Sequence, residues 1–550
     1  MKNVLDYFDN HGLTPRTPQT IALNIIEKEW NNYDYFILDL STGCGKTHVA
    51  LAVAEAVKNS YILTSTIQLQ EQYQKMSASL VNLKGRSNYT CAVNNMFSVD
   101  AAPCNIEKSL AAECKSLNRC PYYNKKQEAV NARTMATNYM FFMYSTHCGF
   151  ATHYEAQFVQ REAVIMDEAH NLESHLISFA ETKINIDELV KKHALTSLKN
   201  VKFSTLNEIN EEIISDIMKH ISVKIGELEA KIATKLQNRV KVSLTDWAKS
   251  FDGAIASDVS SLQSKLYALD KVLQPLKIYQ DNKDAGKWIM HADENENSIT
   301  LTPLKANFLF NYYMKKMGEK FIFMSATIGD PQVFMSEIGI DPLRTKFITA
   351  ETTFKPEISP IVILPYHKMG YKDINNSLPQ IAESIKMLLE QHPNECGIIH
   401  CGTYKISEEL VKLLPYDLRK RLIHRNMKPV PMNNEMLLKI HESCTIKNSV
   451  LLSPSLIEGT DLYDDLSRFQ IILKMPWGSL GDIRTKNKVE LEPQWYSNNM
   501  WNKILQASGR STRHEKDYSV TYILDASYTY FEKQWKAKLP KWYKDRVVKD

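Results

Sequence analysis

Asp167-Glu168-Ala169-His170 directly follows the apolar run Val164-Ile165-Met166. Two carboxylates at the end of a buried strand suit a magnesium-bound nucleotide, where one holds the metal and its neighbour polarises a water. Four-letter strings arise by chance in long chains, so the reading gains its force from a second half-site upstream, Ser41-Thr42-Gly43-Cys44-Gly45-Lys46-Thr47. Gly43 and Gly45 let backbone N–H groups converge on phosphate oxygens, and a helix N-terminus behind them favours anions. Lys46 is expected at the β- and γ-phosphates, and the Thr47 hydroxyl on magnesium beside Asp167. Leu40 stands where the generic phosphate-loop pattern has its first glycine, which weakens the string more than the chemistry.

Two further groups fit the same ligand. Arg16 and Gln19, in Pro15-Arg16-Thr17-Pro18-Gln19, are placed to read an adenine edge, since a side-chain amide pairs with both N6 and N7. The plain alternative is a helix entry with proline near its first position. Far downstream, Gln506-Ala507-Ser508-Gly509-Arg510-Ser511-Thr512-Arg513 puts two arginines three apart on one helical face. They suit charge neutralisation at a γ-phosphate from an opposing domain, against the bland reading of a solvated basic face.

The elements that must position these groups alternate strand and helix. Tyr35–Leu38 reads as a buried strand and 48–57 as a helix. Buried strands recur at Phe321–Met324, running into Ser325-Ala326-Thr327, and at 396–400, 450–452 and 469–473. Helical stretches lie at 378–391, 406–414 and 433–441. Such alternation predicts a parallel α/β architecture. Ile209, Ile213, Ile217, Ile221, Ile225, Leu228 and Ile232 recur at helical spacing and predict a long helix with an apolar stripe.

At 550 residues, with 44% hydrophobic and 24% charged content, the chain suits a multidomain globular protein. A net charge of +4 is mild, so nucleic-acid affinity must come from local basic surface. The start lacks an apolar signal core, and no apolar run approaches bilayer length. Nine cysteines argue for reduced thiols or metal ligands in a cytoplasmic protein. Cys91, Cys104, Cys114 and Cys120 fall between the two nucleotide motifs at C-x12-C-x9-C-x5-C spacing. Iron–sulfur ligation, structural zinc and unligated core thiols all stay open. The lack of a close C-x2–4-C pair counts against zinc. Cys44, Cys396, Cys401 and Cys444 are expected to be buried as small apolar residues. Cys148 lies close enough to the four to mimic a ligand.

Taken in order, these segments resemble the superfamily 2 helicases of the XPD/DinG type, the DEAH-box iron–sulfur DNA helicases. Arg16 and Gln19 match the adenine motif and Thr42 to Thr47 the phosphate loop. The stretch Thr64 to Gln72 matches motif Ia. Lys84 to Tyr89 resembles the approach to the cluster, and Thr137-Asn138-Tyr139 the segment after it. Asp167 to His170, Ser325 to Thr327, Glu458 to Asp461 and Gln506 to Arg513 match motifs II, III, V and VI. Leu539-Pro540-Lys541-Trp542 matches the family's closing L-P-x-W.

The resemblance implies an α/β fold with two RecA-like parallel-sheet motor domains, and cluster and arch insertions in the first. The expected divisions are 1–83, 134–180 and 290–345 for the first motor and 84–133 for the cluster domain. The arch takes 181–289 and the second motor 346–550. Implied cofactors are ATP, Mg2+ and a 4Fe–4S cluster on Cys91, Cys104, Cys114 and Cys120. Gly459 and Asp461 join the nucleotide site, Ser325, Thr327 and His170 couple it, and Ser65, Thr66 and Glu458 face nucleic acid. Implied partners are single-stranded and forked DNA, with DNA–RNA hybrid as a further substrate, for a monomer that moves 5′ to 3′. Rivals are a translocase that displaces proteins or resolves R-loops without strong unwinding, and a non-motor module that uses the cluster as a sensor. A sensor needs neither Lys46 nor Arg513. Tyr89, Tyr122 and Tyr123 are expected either to stack bases or to pack around the cysteines.

Overall fold

The computed structural model describes residues 1–93, 95, 97–100, 102, 108–147, 158–199, 201, 211–237, 253–352, 354–370, 373–427, 432–443, 446–454, 462, 464–509, 511–512 and 516–549. In chain order the strands are β1 (Tyr35–Leu40), β2 (Ser60–Thr64), β3 (Val81–Asn82), β4 (Thr134–Asn138), β5 (Arg161–Asp167) and β6 (Thr182–Asn185). Then come β7 (Trp288–Asp293), β8 (Ser298–Pro303), β9 (Gly318–Ser325), β10 (Thr345–Ala350), β11 (Ile361–His367) and β12 (Gly397–His400). The last are β13 (Leu422–Ile423), β14 (Val450–Ser453), β15 (Phe469–Ile472), β16 (Val520–Asp525) and β17 (Val547–Lys549).

Seven strands form a first, fully parallel sheet in the order β10-β1-β9-β5-β2-β4-β3. Parallel strands need helical crossovers, which cover both faces and make the strands apolar throughout. The alternation is visible residue by residue. Ile37, Val164 and Met166 enter one core, whereas Phe36, Leu38, Ala163 and Ile165 enter the core on the opposite face. A second parallel sheet runs β13-β14-β12-β15-β16-β11-β17. The expected architecture of two parallel-sheet units is thus observed.

Two groups of elements lie outside the two seven-stranded sheets. Helices Lys108–Ser116 and Pro121–Asn131 lie between β3 and β4. Helices Glu211–Gln237 and Gly253–Asn282 pack on each other over a small antiparallel sheet, β6-β8-β7. That sheet draws 288–303 into the helical insertion, past the expected boundary at 289. Likewise β10 pairs with β1, so the first parallel sheet closes at Ala350 and not at 345. In the long helix, Ile217, Ile221, Leu228 and Ile232 are buried, while Ile213 and Ile225 are only partly so. Ile209 lies outside the described residues. A strict four-residue step overshoots the 3.6-residue turn, so the stripe drifts around the helix and Ile214 and Met218 complete the core. Among the described residues no helix is long and apolar enough to cross a membrane.

The helix expected to begin at 378 begins at Ile374, with Pro379 inside it. Proline near a helix start removes few intrahelical bonds, so the helix continues through it. Further along, Gly397 on β12 faces the fully buried ring of Phe469, which is already stacked on His392 at 4.5 Å. A methyl group there would meet the ring with little room to retreat. Gly397→Ala is expected to lower stability by about 1–3 kcal/mol, read as a lower urea midpoint with an unchanged slope.

Candidate functional site

The sheet order places β1, β9 and β5 side by side and in the same direction, so their carboxyl ends open on one crevice. The first strand runs into the phosphate loop, the second into Ser325 and the third into Asp167. Helix Lys46–Ala56 starts at the loop's last residues, and Gly43 and Gly45 take φ of +79° and +83°. Those left-handed conformations fold backbone N–H groups toward an anion. Lys46 therefore stands on the first turn of a helix, facing Asp39 and Asp167 electrostatically.

Arg16 and Gln19 approach this loop, but their polar atoms are turned to the chain itself. Gln19 is buried, donates to the Gly45 carbonyl at 3.0 Å, and accepts from the Arg16 N–H at 2.7 Å. The Arg16 guanidinium donates to the Gly43 carbonyl. Both residues thus brace the phosphate loop, a task their spacing did not reveal. A side chain at position 45 would collide with the Gln19 amide, so this bracing requires glycine.

In the acidic box Asp167 is buried and accepts from the Tyr73 hydroxyl at 2.8 Å and from the Glu168 N–H at 3.0 Å. Tyr139 donates to the Asp167 carbonyl at 2.8 Å. Burial, and then the charge of Glu168, push the Asp167 carboxyl up to about 6. Glu168 itself adopts φ +52°, a left-handed conformation that costs a non-glycine residue about 1 kcal/mol or more. The turn brings its carboxylate within 3.2 Å of His170 Nδ1, which also lies 2.8 Å from the Ser325 hydroxyl. Ser325 accepts from the Thr327 N–H at 3.0 Å, and the Thr327 hydroxyl accepts from Gln506 Nε2 at 3.0 Å. A continuous polar chain thus runs from Glu168 to the second unit.

A second link crosses the units at the phosphate loop itself, where the Thr42 hydroxyl donates to the Gly509 carbonyl at 3.0 Å. Arg510 and Arg513, and Glu458, Gly459 and Asp461, lie outside the described residues. A third link is ionic. Lys488 of the second unit is fully buried, 2.6 Å from Glu337 and 2.7 Å from Glu492, and Lys305 also pairs with Glu492. Burial, and then nearby Glu173, push Glu337 up to about 8. Burial acts the same way on Glu492, but Lys305 and Lys488 outweigh it and hold that carboxyl down to about 2. Glu173, six residues after Asp167, accepts from Trp495 and pairs with Arg484.

Thr66, exposed, caps helix Ile67–Met76 by accepting from the Leu69 N–H at 3.3 Å, and Ser65 precedes it. Among the cysteines, Cys91, Cys114 and Cys120 are buried. Hydrogen bonding with Cys114 draws the Cys120 thiol down to about 6, against the effect of burial. Two adjacent thiols, one biased to thiolate, fit a metal or cluster in kind. Cys91 lies in a neighbouring apolar pocket joined to theirs by Val93. Cys104 and Cys148 lie outside the described residues, and among those described no three His, Cys, Asp or Glu side chains converge as metal ligands. Tyr122 is buried edge-on between Tyr89 and Tyr123, which assigns it to packing. Cys44 and Cys401 are buried as expected, whereas Cys396 is only half-buried, 3.8 Å from the Ser449 hydroxyl. Cys444 lies outside the described residues.

Three residues of this site were not read from the sequence: Asp39, Tyr73 and Tyr139. Asp39 left a trace as the lone acid in the apolar run Tyr35–Leu40. Burial pushes its carboxyl up to about 7. Tyr73 left none and Tyr139 only its place in the Thr137-Asn138-Tyr139 segment, since their contact with Asp167 depends on sheet order.

A family model described as DEAD_2 matches residues 51–189, and one described as a helicase C-terminal domain matches residues 385–546. The chain is 22% identical over 518 residues to the ATP-dependent DNA helicase CHL1 of Candida albicans, covering 78% of this chain and 60% of that protein. It is 19% identical over 560 residues to the ATP-dependent DNA helicase YoaA of Escherichia coli K12, covering 87% and 85%. A solved XPD helicase structure superposes with a TM-score of 0.63 at 15% identity, over 98% of this chain and 100% of that one. S. tokodaii Xpd4 gives 0.57 at 14% identity, over 97% and 100%.

A magnesium ion at Asp167 would need its carboxyl ionised, and the Tyr73 hydroxyl favours that form. In Tyr73→Phe the carboxyl should rise further, so Mg2+-dependent binding of a fluorescent nucleotide weakens about three- to tenfold near pH 6 and recovers near pH 8. A loss of equal size at both ends of the range would remove Tyr73 from the control of Asp167.

Proposed function

Because the chain belongs to the XPD/DinG-like superfamily 2 helicases, we propose that it is an ATP-dependent DNA helicase that couples nucleotide hydrolysis to movement on single-stranded DNA. The observation that carries this reading is the convergence of the phosphate loop, acidic box and Ser325–Thr327 segment on one crevice, with Gly509 and Gln506 of the second unit touching it.

In this reading Lys46 binds the β- and γ-phosphates, and Thr47 and Asp167 hold magnesium, which neutralises the phosphate charge when bound. Glu168 takes a proton from the attacking water, and His170 fixes its position through the 3.2 Å contact. Adenine lies beside Arg16 and Gln19, whose main task is to hold the loop. Gly509 is the residue before Arg510, so its contact with Thr42 supports Arg510 and Arg513 as γ-phosphate partners from the second unit. Gly459 and Asp461 line the same cleft. Loss of the γ-phosphate removes the bridge between the units, which lets them part and shifts the grip on DNA at Ser65, Thr66 and Glu458. The divisions are motor, cluster domain, arch and second motor, with β10 assigned to the first motor and 288–303 to the arch.

The proposal includes a 4Fe–4S cluster on Cys91, Cys104, Cys114 and Cys120. It is supported by the Cys114–Cys120 contact and by the depressed Cys120 thiol. When bound, the cluster would cross-link the segment between β3 and β4. We further assign the chain, as a monomer in the reducing cytoplasm, to single-stranded and forked DNA, with 5′-to-3′ movement.

Lys46→Ala is expected to lower DNA-stimulated ATP turnover about a hundredfold or more, and normal turnover would remove the phosphate-loop assignment. Forks with a 5′ tail should be separated and those with a 3′ tail left intact. Turnover and protein displacement without strand separation would establish the translocase instead. Cys114→Ser should lose iron and sulfide by elemental analysis and impair unwinding more than ATP turnover.

A further inference from the structure

Helix Pro493–Ser508 carries three side-chain amides at four-residue spacing, Asn498, Asn502 and Gln506, and so presents them along one face. All three meet the turn that follows β9, residues 327–330. Asn498 Oδ1 accepts from the Asp330 N–H at 2.8 Å, Asn502 Nδ2 donates to the Ile328 carbonyl at 3.4 Å, and Gln506 Nε2 donates to the Thr327 hydroxyl. Gly329, at φ +74°, allows the close approach, because a Cβ there would collide with the amide oxygens of both asparagines.

The Ile328 peptide is held at both ends. Its N–H faces the Asp39 carboxyl on β1, next to the phosphate loop, and favours the ionised form of that group, and its carbonyl accepts from Asn502 of the second unit. The ladder is also incompletely satisfied in this arrangement. Asn502 Oδ1, Gln506 Oε1 and one oxygen of Asp39 are buried without a hydrogen-bond partner among the described residues. Buried polar atoms left open in this way favour any second arrangement that pairs them, which is what a two-state coupling element needs.

We propose that Asn498 and Asn502, together with Gln506, read the 327–330 turn and carry DNA engagement in the second unit to the nucleotide site through Ile328 and Asp39. The two asparagines are positioning residues that act through the turn. The proposal rests on the helicase reading above and names its coupling path.

The test measures ATP turnover of the full chain with and without single-stranded DNA, alongside nucleotide affinity and thermal midpoint. The variants are Asn498→Ala, Asn502→Ala, the volume-conserving Asn502→Leu, and Gly329→Ala. The asparagine variants should keep DNA-free turnover and nucleotide affinity within about twofold. Their stimulation by DNA should fall about three- to tenfold, the scale of one neutral hydrogen bond. Because the added methyl of Gly329→Ala would press on both asparagines and so already disturb the Asn502 contact, Gly329→Ala combined with Asn502→Ala should lose no more stimulation than the worse single variant. Unchanged stimulation in both Asn502 variants overturns the proposal, as do multiplying losses in the double variant or losses that track the thermal midpoint. A wild-type chain with no DNA stimulation would instead overturn the helicase reading. Normal stimulation in wild type and variants alike sinks the ladder alone.

Discussion

Three neighbouring parallel strands, β1, β9 and β5, bring the candidate site together at their carboxyl ends. The register pairs Asp39 with Ser325 and Asp167 with Met324, so residues far apart in sequence stand level along one edge. Parallel pairing makes this possible, because every strand of such a sheet ends on the same side. An antiparallel arrangement would send half of these groups to the far edge. The apolar packing on both faces holds that edge rigid enough for contacts of about 3 Å to recur along it.

That rigidity concentrates negative charge. Asp39 and Asp167 both face Lys46, Glu168 adds its charge beside Asp167, and burial disfavours the ionised form of the first two. Tyr73 and the Glu168 N–H offset part of that cost at Asp167. A magnesium-bound phosphate would bring positive metal to the carboxylates and negative oxygens to Lys46. The electrostatics would suit such a ligand pair, and Glu168 holds a left-handed backbone beside it.

Between the two units the contacts are mostly polar. Thr42 with Gly509, Gln506 with Thr327, and Lys488 with Glu337 are directional and leave some buried atoms open. Interfaces of this kind switch between arrangements more readily than fused apolar cores, which suits the proposed motor cycle. Glu173, six residues after Asp167 in the chain, adds contacts to Arg484 and Trp495.

Much of this was legible in residue order. The apolar runs around Ile37, Ile165 and Phe323 were sufficient for strands, and the glycines before Lys46 for a tight turn into a helix, because local backbone needs and side-chain type are written into the chain. Asp167, Glu168 and His170 could be named for the same reason. Other features depended on which strands became neighbours. Nothing near Tyr73 or Tyr139 announces a bond to Asp167, and Gln19 looked free for a base until its amide was found against Gly45. β10 joined the first sheet, and 288–303 joined the helical insertion, through long-range pairing. Sequence alone determined the kinds of groups present and the strands that deliver them. The tertiary structure decided which hydrogen bonds those groups make, because a buried donor takes whichever acceptor packing brings within reach.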